Sequence, residues 1–160
     1  MLLVMVGTII FGAKYLIWVL VGLALVWFLR QPKEKKKEMI VFGAVAFPLI
    51  YAVAKLIAMF YYNPRPFVVE PLLHPLIPHE PDNGFPSDHT LLGSAISTVI
   101  YSFSKKISIL SWILTILVGL SRILAGIHHP IDILGSIIIS ILVGLIVYHV
   151  FFSRFNQRGN

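Results

Sequence analysis

Between two apolar runs the chain places Ser121, Arg122, His128, His129 and Asp132 within twelve residues. Charge close to hydrocarbon costs several kcal/mol unless it is paired. A grouping of Arg, His, His and Asp there therefore points to chemistry. Histidine is the candidate nucleophile. Asp132 follows His128 by four residues and His129 by three, so it shares a helical face with either if the turn is helical. Pro130 suits the first turn of such a helix. A carboxylate on one ring nitrogen fixes the tautomer and leaves the other nitrogen free to attack. Both histidines remain candidates on these grounds. The bland alternative for either is interfacial packing or a hydrogen bond to a loop carbonyl.

A second set of polar residues lies upstream, at Arg65, Ser87, Asp88 and His89. Arg65 and Arg122 suit an anion, because a guanidinium grips phosphate oxygens in a fork and stays charged. With Lys55 they would offset the charge that grows on a transferring phosphoryl group. Ser87 reads as a helix N-cap, and the free N–H groups of a helix start bind phosphate. Asp88 lies in that first turn. His89 is placed to act as general acid and then as base. A competing reading is a zinc site drawn from His74, His79, His89, His128 and His129 with Asp82, Asp88 and Asp132. Those residues lack a firm ligand spacing, and the arginines would repel the ion.

The elements that must hold these residues are transmembrane helices. Of 160 residues, 58% are hydrophobic and 12% charged, about half the charge of a soluble domain. The expectation is one all-α integral-membrane domain over residues 1–160, a polytopic bundle of about five spans, with six conceivable. There is no cysteine, which removes disulfides and thiolate metal sites. The net charge of +6 gathers at span ends, where topology accounts for it, so no nucleic-acid partner is expected. The spans are placed at about 9–29, 39–62, 87–103, 107–124 and 131–152. Residues 1–8 lie in the interface, read as retained rather than as a cleaved signal. Lys14 snorkels to the nearer surface. Pro48 should kink the second span. The outer loop 63–86 carries seven prolines and is long enough to be functional. It has room for a short interfacial helix at about 68–76. Five spans put the basic segments 30–38, 104–106 and Arg154 with Arg158 on one side, the cytoplasm by the positive-inside rule. The two polar sets then share the outer face.

Three motifs together resemble the type 2 phosphatidic acid phosphatase family of membrane lipid phosphatases. Ser121, Arg122, His128 and Asp132 meet its Ser-Arg-x5-His-x3-Asp pattern. Pro86-Ser87-Asp88-His89 stands where the family has Pro-Ser-Gly-His, and Asp replaces Gly. Arg65-Pro66 match the end of Lys-x6-Arg-Pro, but the lysine position is Ala58, with Lys55 one helical turn earlier. Pro64-Arg65-Pro66-Phe67 and Phe85-Pro86-Ser87-Asp88-His89-Thr90 are similar to the bacitracin-resistance branch, the undecaprenyl-diphosphate phosphatases. The resemblance implies a mechanism without metal or other cofactor. In it His128 attacks the terminal phosphorus to form a phosphohistidine, and Asp132 orients it. His89 protonates the leaving oxygen and later activates water. Arg65, Arg122 and Ser87, with Asp88 and Lys55 beside them, form the phosphate-binding group. The resemblance thus selects His128 over His129.

The expected partners are a lipid phosphate and the bilayer. The expected place is the bacterial inner membrane, with the site facing the exterior or periplasm. Undecaprenyl diphosphate is the first substrate. Lipid A 1-phosphate, phosphatidylglycerol phosphate and phosphatidic acid are the alternatives that the same motifs would grip. An anion transporter is the alternative from another class, but Lys14, Lys55 and His149 are too few to line a path. A non-catalytic membrane subunit would leave the outer histidines unexplained.

Overall fold

Five helix ends and a loop converge at one end of a helical bundle, and the polar residues lie there. In this computed structural model, residues 1–152 are described, so Arg154 and Arg158 lie outside the described residues. The elements are α1 (Leu2–Lys14), α2 (Leu16–Leu29), α3 (Lys33–Phe60), α4 (Pro66–Val69), α5 (Asp88–Tyr101), α6 (Lys105–Leu124) and α7 (Pro130–Val147), followed by a π-helical turn at Tyr148–Phe152. No strand occurs among the described residues; one isolated bridge joins Pro64 to Asn83.

The core is built from stripes at helical spacing. Phe42, Ala46, Ile50 and Ala54 of α3 face Leu91, Ala95 and Val99 of α5 and Ile139, Val143 and Val147 of α7. Each set advances by four residues, which keeps it on one face. α5 lies innermost and packs on α6 and α7, with α2 and α3 on its other sides. Small residues permit this closeness. A Cβ on Gly93 would lie 2.8 Å from Thr115 Oγ1, and one on Gly144 would strike Thr98 Cγ2.

Helices α3 and α6 and the segment Pro130–Val150 are long and apolar enough to cross a membrane, and the α1–α2 pair makes a fourth crossing if it counts as one bent span. α5 has 14 residues, about 21 Å of rise against about 30 Å of hydrocarbon. It is shorter than the span expected over 87–103, though it runs from the site end to the end that holds Lys35 and Phe103. The N-terminal region also differs from expectation. Helix begins at Leu2 rather than near residue 9, and the path bends by 50° between α1 and α2. The interfacial helix expected over 68–76 is a single turn at Pro66–Val69. The lysine-rich start of α3 and the α5–α6 turn do share one end, where Lys35 Nζ donates to the carbonyl of Phe103 at 3.2 Å. Pro48 lies inside α3, which stays helical through it.

Candidate active site

Pro130 opens α7 and His129 is its N-cap, so His128 lies one residue outside the helix. The shared helical face expected for His128 and Asp132 is not how they meet. Asp132 sits in the first turn and its carboxylate turns back over the helix start. Oδ2 accepts from the His129 backbone N–H at 2.8 Å and lies 3.2 Å from His128 Nδ1. Gly126, at φ +75°, makes the turn that brings the chain from α6 to this point.

The other nitrogen of His128 decides its tautomer. Nε2 lies 3.3 Å from Arg65 Nη1 and 3.3 Å from Arg122 Nη2. A guanidinium has donors only, so Nε2 accepts and the hydrogen is on Nδ1, donated to Asp132. The lone pair of Nε2 thus faces two cations. His129 is differently placed. Its Nε2 lies 3.2 Å from the Pro64 carbonyl, the loop contact that was the bland alternative for it.

The charges are deeply held. Arg65 and Arg122 are each 5% exposed, His128 2% and Asp132 0%. Arg65 donates from Nε to Asp82 Oδ1 at 2.7 Å and from Nη1 to the Ile127 carbonyl at 2.8 Å. Among the described residues Arg122 has no carboxylate partner. Its Nη1 donates to the carbonyl of Ala13 at 3.0 Å, and its Nη2 faces the imidazoles of His128 and His79. Its Nε is buried without a partner. A buried guanidinium left one acceptor short, beside a second guanidinium, has the donors and charge that suit an anion.

Burial and the two arginines shape the titration of the loop groups. Burial pushes His128 below the usual histidine value; the hydrogen bond to Asp132 acts the other way, while Arg122 and Arg65 add to the lowering. His79 is lowered by burial and by the charges of Arg65 and Arg122. For Asp82, burial favours the neutral acid, but the hydrogen bond and charge of Arg65 outweigh it and hold the carboxyl below its usual range. The lowering favours the neutral imidazole of His128 near pH 7.

The upstream residues are partly where the sequence put them. Ser87 is the N-cap residue of α5 and fully buried, but its hydroxyl does not cap the helix. It accepts from Thr90 Oγ1 at 3.2 Å, while its backbone N–H donates to the Asp132 carbonyl at 3.3 Å. His89 lies close enough to Arg122, His128 and His79 for their charges to act on it. Lys55 and Asp88, the two departures from the family pattern, face each other, with Lys55 Nζ 3.1 Å from Asp88 Oδ1 in a largely exposed ion pair. Lys55 is thus engaged by a carboxylate rather than by the arginine pair. The proposed zinc ligands do not assemble: among the described residues no three His, Asp or Glu side chains are arranged to hold an ion.

Two asparagines were given no role from sequence. Asn63 Nδ2 donates to Asp132 Oδ1 at 2.7 Å. Asn83 Oδ1 accepts from the backbone N–H groups of Asn63 and Phe85 at 3.0 Å each, and its Nδ2 donates to the Ala58 and Tyr61 carbonyls at the end of α3. Asn83 thus ties both ends of the outer loop to α3, and Asn63 holds the carboxylate that orients His128. The signal was present in Asn63-Pro64 and Asn83-Gly84, which are turn-forming pairs. A Cβ on Gly84 would come within 3.1 Å of both the Asn63 carbonyl and Asp132 Oδ2, so the loop needs glycine to pass this close.

Comparison with known proteins bears on the same residues. The family model described as the PAP2 superfamily matches residues 37–156. The chain belongs to the PAP2 superfamily. It is 35% identical over 139 residues to the bacitracin transport permease protein BcrC of Bacillus licheniformis, covering 86% of this chain and 68% of that protein. It is 43% identical over 93 residues to the undecaprenyl-diphosphatase BcrC of Bacillus subtilis (strain 168), covering 58% of this chain but only 48% of that protein. The crystal structure of LpxE from Aquifex aeolicus superposes with a TM-score of 0.65 at 28% identity, covering 89% of this chain and 82% of that one. A PAP2-type phosphatidylglycerolphosphate phosphatase from Bacillus subtilis shares the fold, at a TM-score of 0.57 and 22% identity over 97% of this chain and 76% of that one. The resemblance carried by the three motifs is therefore shown, including its leaning toward the BcrC proteins. This PAP2 chain is a membrane protein of a lipid-phosphatase family. Residues 1–36 lie outside the family match, yet Ala13 touches the arginine at the centre of the site.

Proposed function

We propose that the chain is a single-domain membrane enzyme that removes the terminal phosphate of undecaprenyl diphosphate, through a phosphohistidine on His128. One observation carries the reading: Nε2 of His128 presents its lone pair between two buried arginines, while Nδ1–H is held by Asp132. A phosphoryl group drawn in by Arg65 and Arg122 meets that lone pair. Nε2 attacks phosphorus, the bond to the leaving phosphate of the lipid breaks, and Asp132 stabilises the charge that appears on the ring. His89 gives its proton to the leaving oxygen. It then takes one from the water that hydrolyses the phosphohistidine. No step draws on a metal. The choice of lipid rests on the BcrC relatives, since the arginines grip a phosphate that all the family's lipids share. In this reading the membrane is the bacterial inner membrane. The basic end of the bundle lies in the cytoplasm and the site opens to the exterior.

The test is phosphate release from undecaprenyl diphosphate by purified protein in detergent with EDTA present. Turnover is expected to persist in EDTA and to fall at least about a thousand-fold in His128→Ala. Release unchanged in that variant would sink the histidine mechanism, and abolition by EDTA would favour a metal. The acid limb of kcat/KM reports the free enzyme. Neutral His128 is the reactive form and its pKa is lowered, so activity is lost as the pH falls below the ordinary histidine value of about 6.5.

A further inference from the structure

His79 lies in the outer loop, outside all three motifs. Its Nε2 is 3.4 Å from Arg122 Nη2, the same nitrogen that faces His128 at 3.3 Å. The rings of His79 and His128 meet edge to face with centroids 6.3 Å apart. Because Arg122 can only donate, His79 accepts through Nε2 and carries its hydrogen on Nδ1. That Nδ1 is buried and meets no partner at full hydrogen-bond geometry, although the Glu80 backbone lies near enough to act on the ring, and Nε of Arg122 is likewise unpartnered among the described residues. A buried donor left unpaired costs about 1–3 kcal/mol. Two such donors lie on residues already in contact.

The loop holds His79 in place from both sides. Leu76 N–H donates to the Ala125 carbonyl at 3.0 Å, and Ile77 is buried with Ala13, Ala125 and Ile127. On the other side Asp82 takes the Nε hydrogen of Arg65 at 2.7 Å. These anchors are walls of the arginine site itself, so the loop presents His79 to that site rather than to solvent.

We propose that His79 is a substrate-contacting residue that donates a hydrogen bond to an oxygen of the transferring phosphoryl group, beside Arg65 and Arg122. On binding, Arg122 exchanges the imidazole acceptor of His79 for a phosphate oxygen, and the ring N–H supplies a further donor. No covalent bond changes at His79. The contact serves a terminal phosphate, so it applies to monophosphate and diphosphate lipids alike. It rests on the phosphohistidine reading above.

Orthovanadate, a mimic of the transferring phosphoryl group, is the probe, used on the full chain in detergent. His79→Ala is expected to weaken vanadate inhibition about ten-fold and to lower kcat/KM for undecaprenyl diphosphate about 10- to 100-fold. His79→Asn, whose amide N–H falls near the position of Nδ1, should recover part of both. Unchanged vanadate affinity in both variants overturns the proposal. Tighter vanadate binding also overturns it, because His79 would then only plug Arg122. The two readings fail separately. A fully active His128→Ala removes the mechanism, whereas a wild-type-like His79→Ala beside an inactive His128→Ala removes His79 alone.

Discussion

Two regions of this bundle bury polar side chains, and they solve the problem in opposite ways. In mid-bundle, hydroxyls from α5, α6 and α7 are satisfied mostly by nearby backbone. Ser97 donates to the Gly93 carbonyl at 2.8 Å, Thr115 to Ser111 at 2.8 Å, and Ser111 to Ile107 at 2.9 Å. Each closes on the carbonyl four residues back, the usual habit of a hydroxyl inside a helix. At the site end, the bonds span long stretches of chain, from Asn63 to Asp132 and from Arg122 to Ala13, and donors remain unused. The first region is neutral, and although the Ser94 and Thr98 hydroxyls also lack partners there, it is built for close packing. The second gathers charged side chains, and its unpartnered donor on Arg122 belongs to a cation. What distinguishes them is the balance of charge, not burial.

Substitutions at each region should expose that difference. After His128 itself, the largest effect is expected from Arg122→Lys, which keeps the charge and loses the fork. Because Arg122 faces His128 and Ala13 at once, kcat/KM should fall about a hundred-fold, or about 2.7 kcal/mol of transition-state stabilisation. A loss under three-fold would mean that charge alone suffices. Asn63→Ala comes next. It removes one of three hydrogen bonds to Asp132 without touching the proposed substrate site, so kcat should fall about ten-fold with KM little changed. A rise in KM alone would show that Asn63 acts on binding instead. Ser97→Ala should do least. Interhelical polar contacts in membranes average about 0.6 kcal/mol, so thermal unfolding in detergent should shift slightly and turnover should stay within about two-fold. A large loss of turnover there would erase the distinction between the two regions.

The same balance explains what could be read from the sequence. The helical bundle was legible because long apolar runs have few alternatives in a membrane. His128, Asp132, Arg65, Arg122 and Ser87 were legible as a group because charge next to hydrocarbon is costly and their spacing matches a known pattern. The geometry joining them was not. His128 and Asp132 meet across a helix start rather than along a helix face, because the first turn leaves backbone N–H groups that draw the carboxylate back. Asn63 and Asn83 were invisible as site residues because loop asparagines usually serve only turns. Lys55 and Asp88 each looked like an isolated departure from the motifs, and only the packing of α3 beside α5 makes them a pair. The bend after α1 had no sequence mark, since neither proline nor glycine stands at Tyr15.

That bend has a consequence for how the protein is made. The last carbonyls of a helix lack partners within it, and in α1 the Ala13 carbonyl finds one in Arg122, 109 positions later. A Cβ on Gly12 would strike Ser121 Oγ, so the two helices fit only with glycine at the contact. The N-terminal helix therefore waits through most of synthesis for the residue that completes its end. Arg122 in turn reaches its working position only when that helix is already in place. Assembly of the bundle and the placing of Arg122 are then linked, because one hydrogen bond ties the end of the first helix to the sixth.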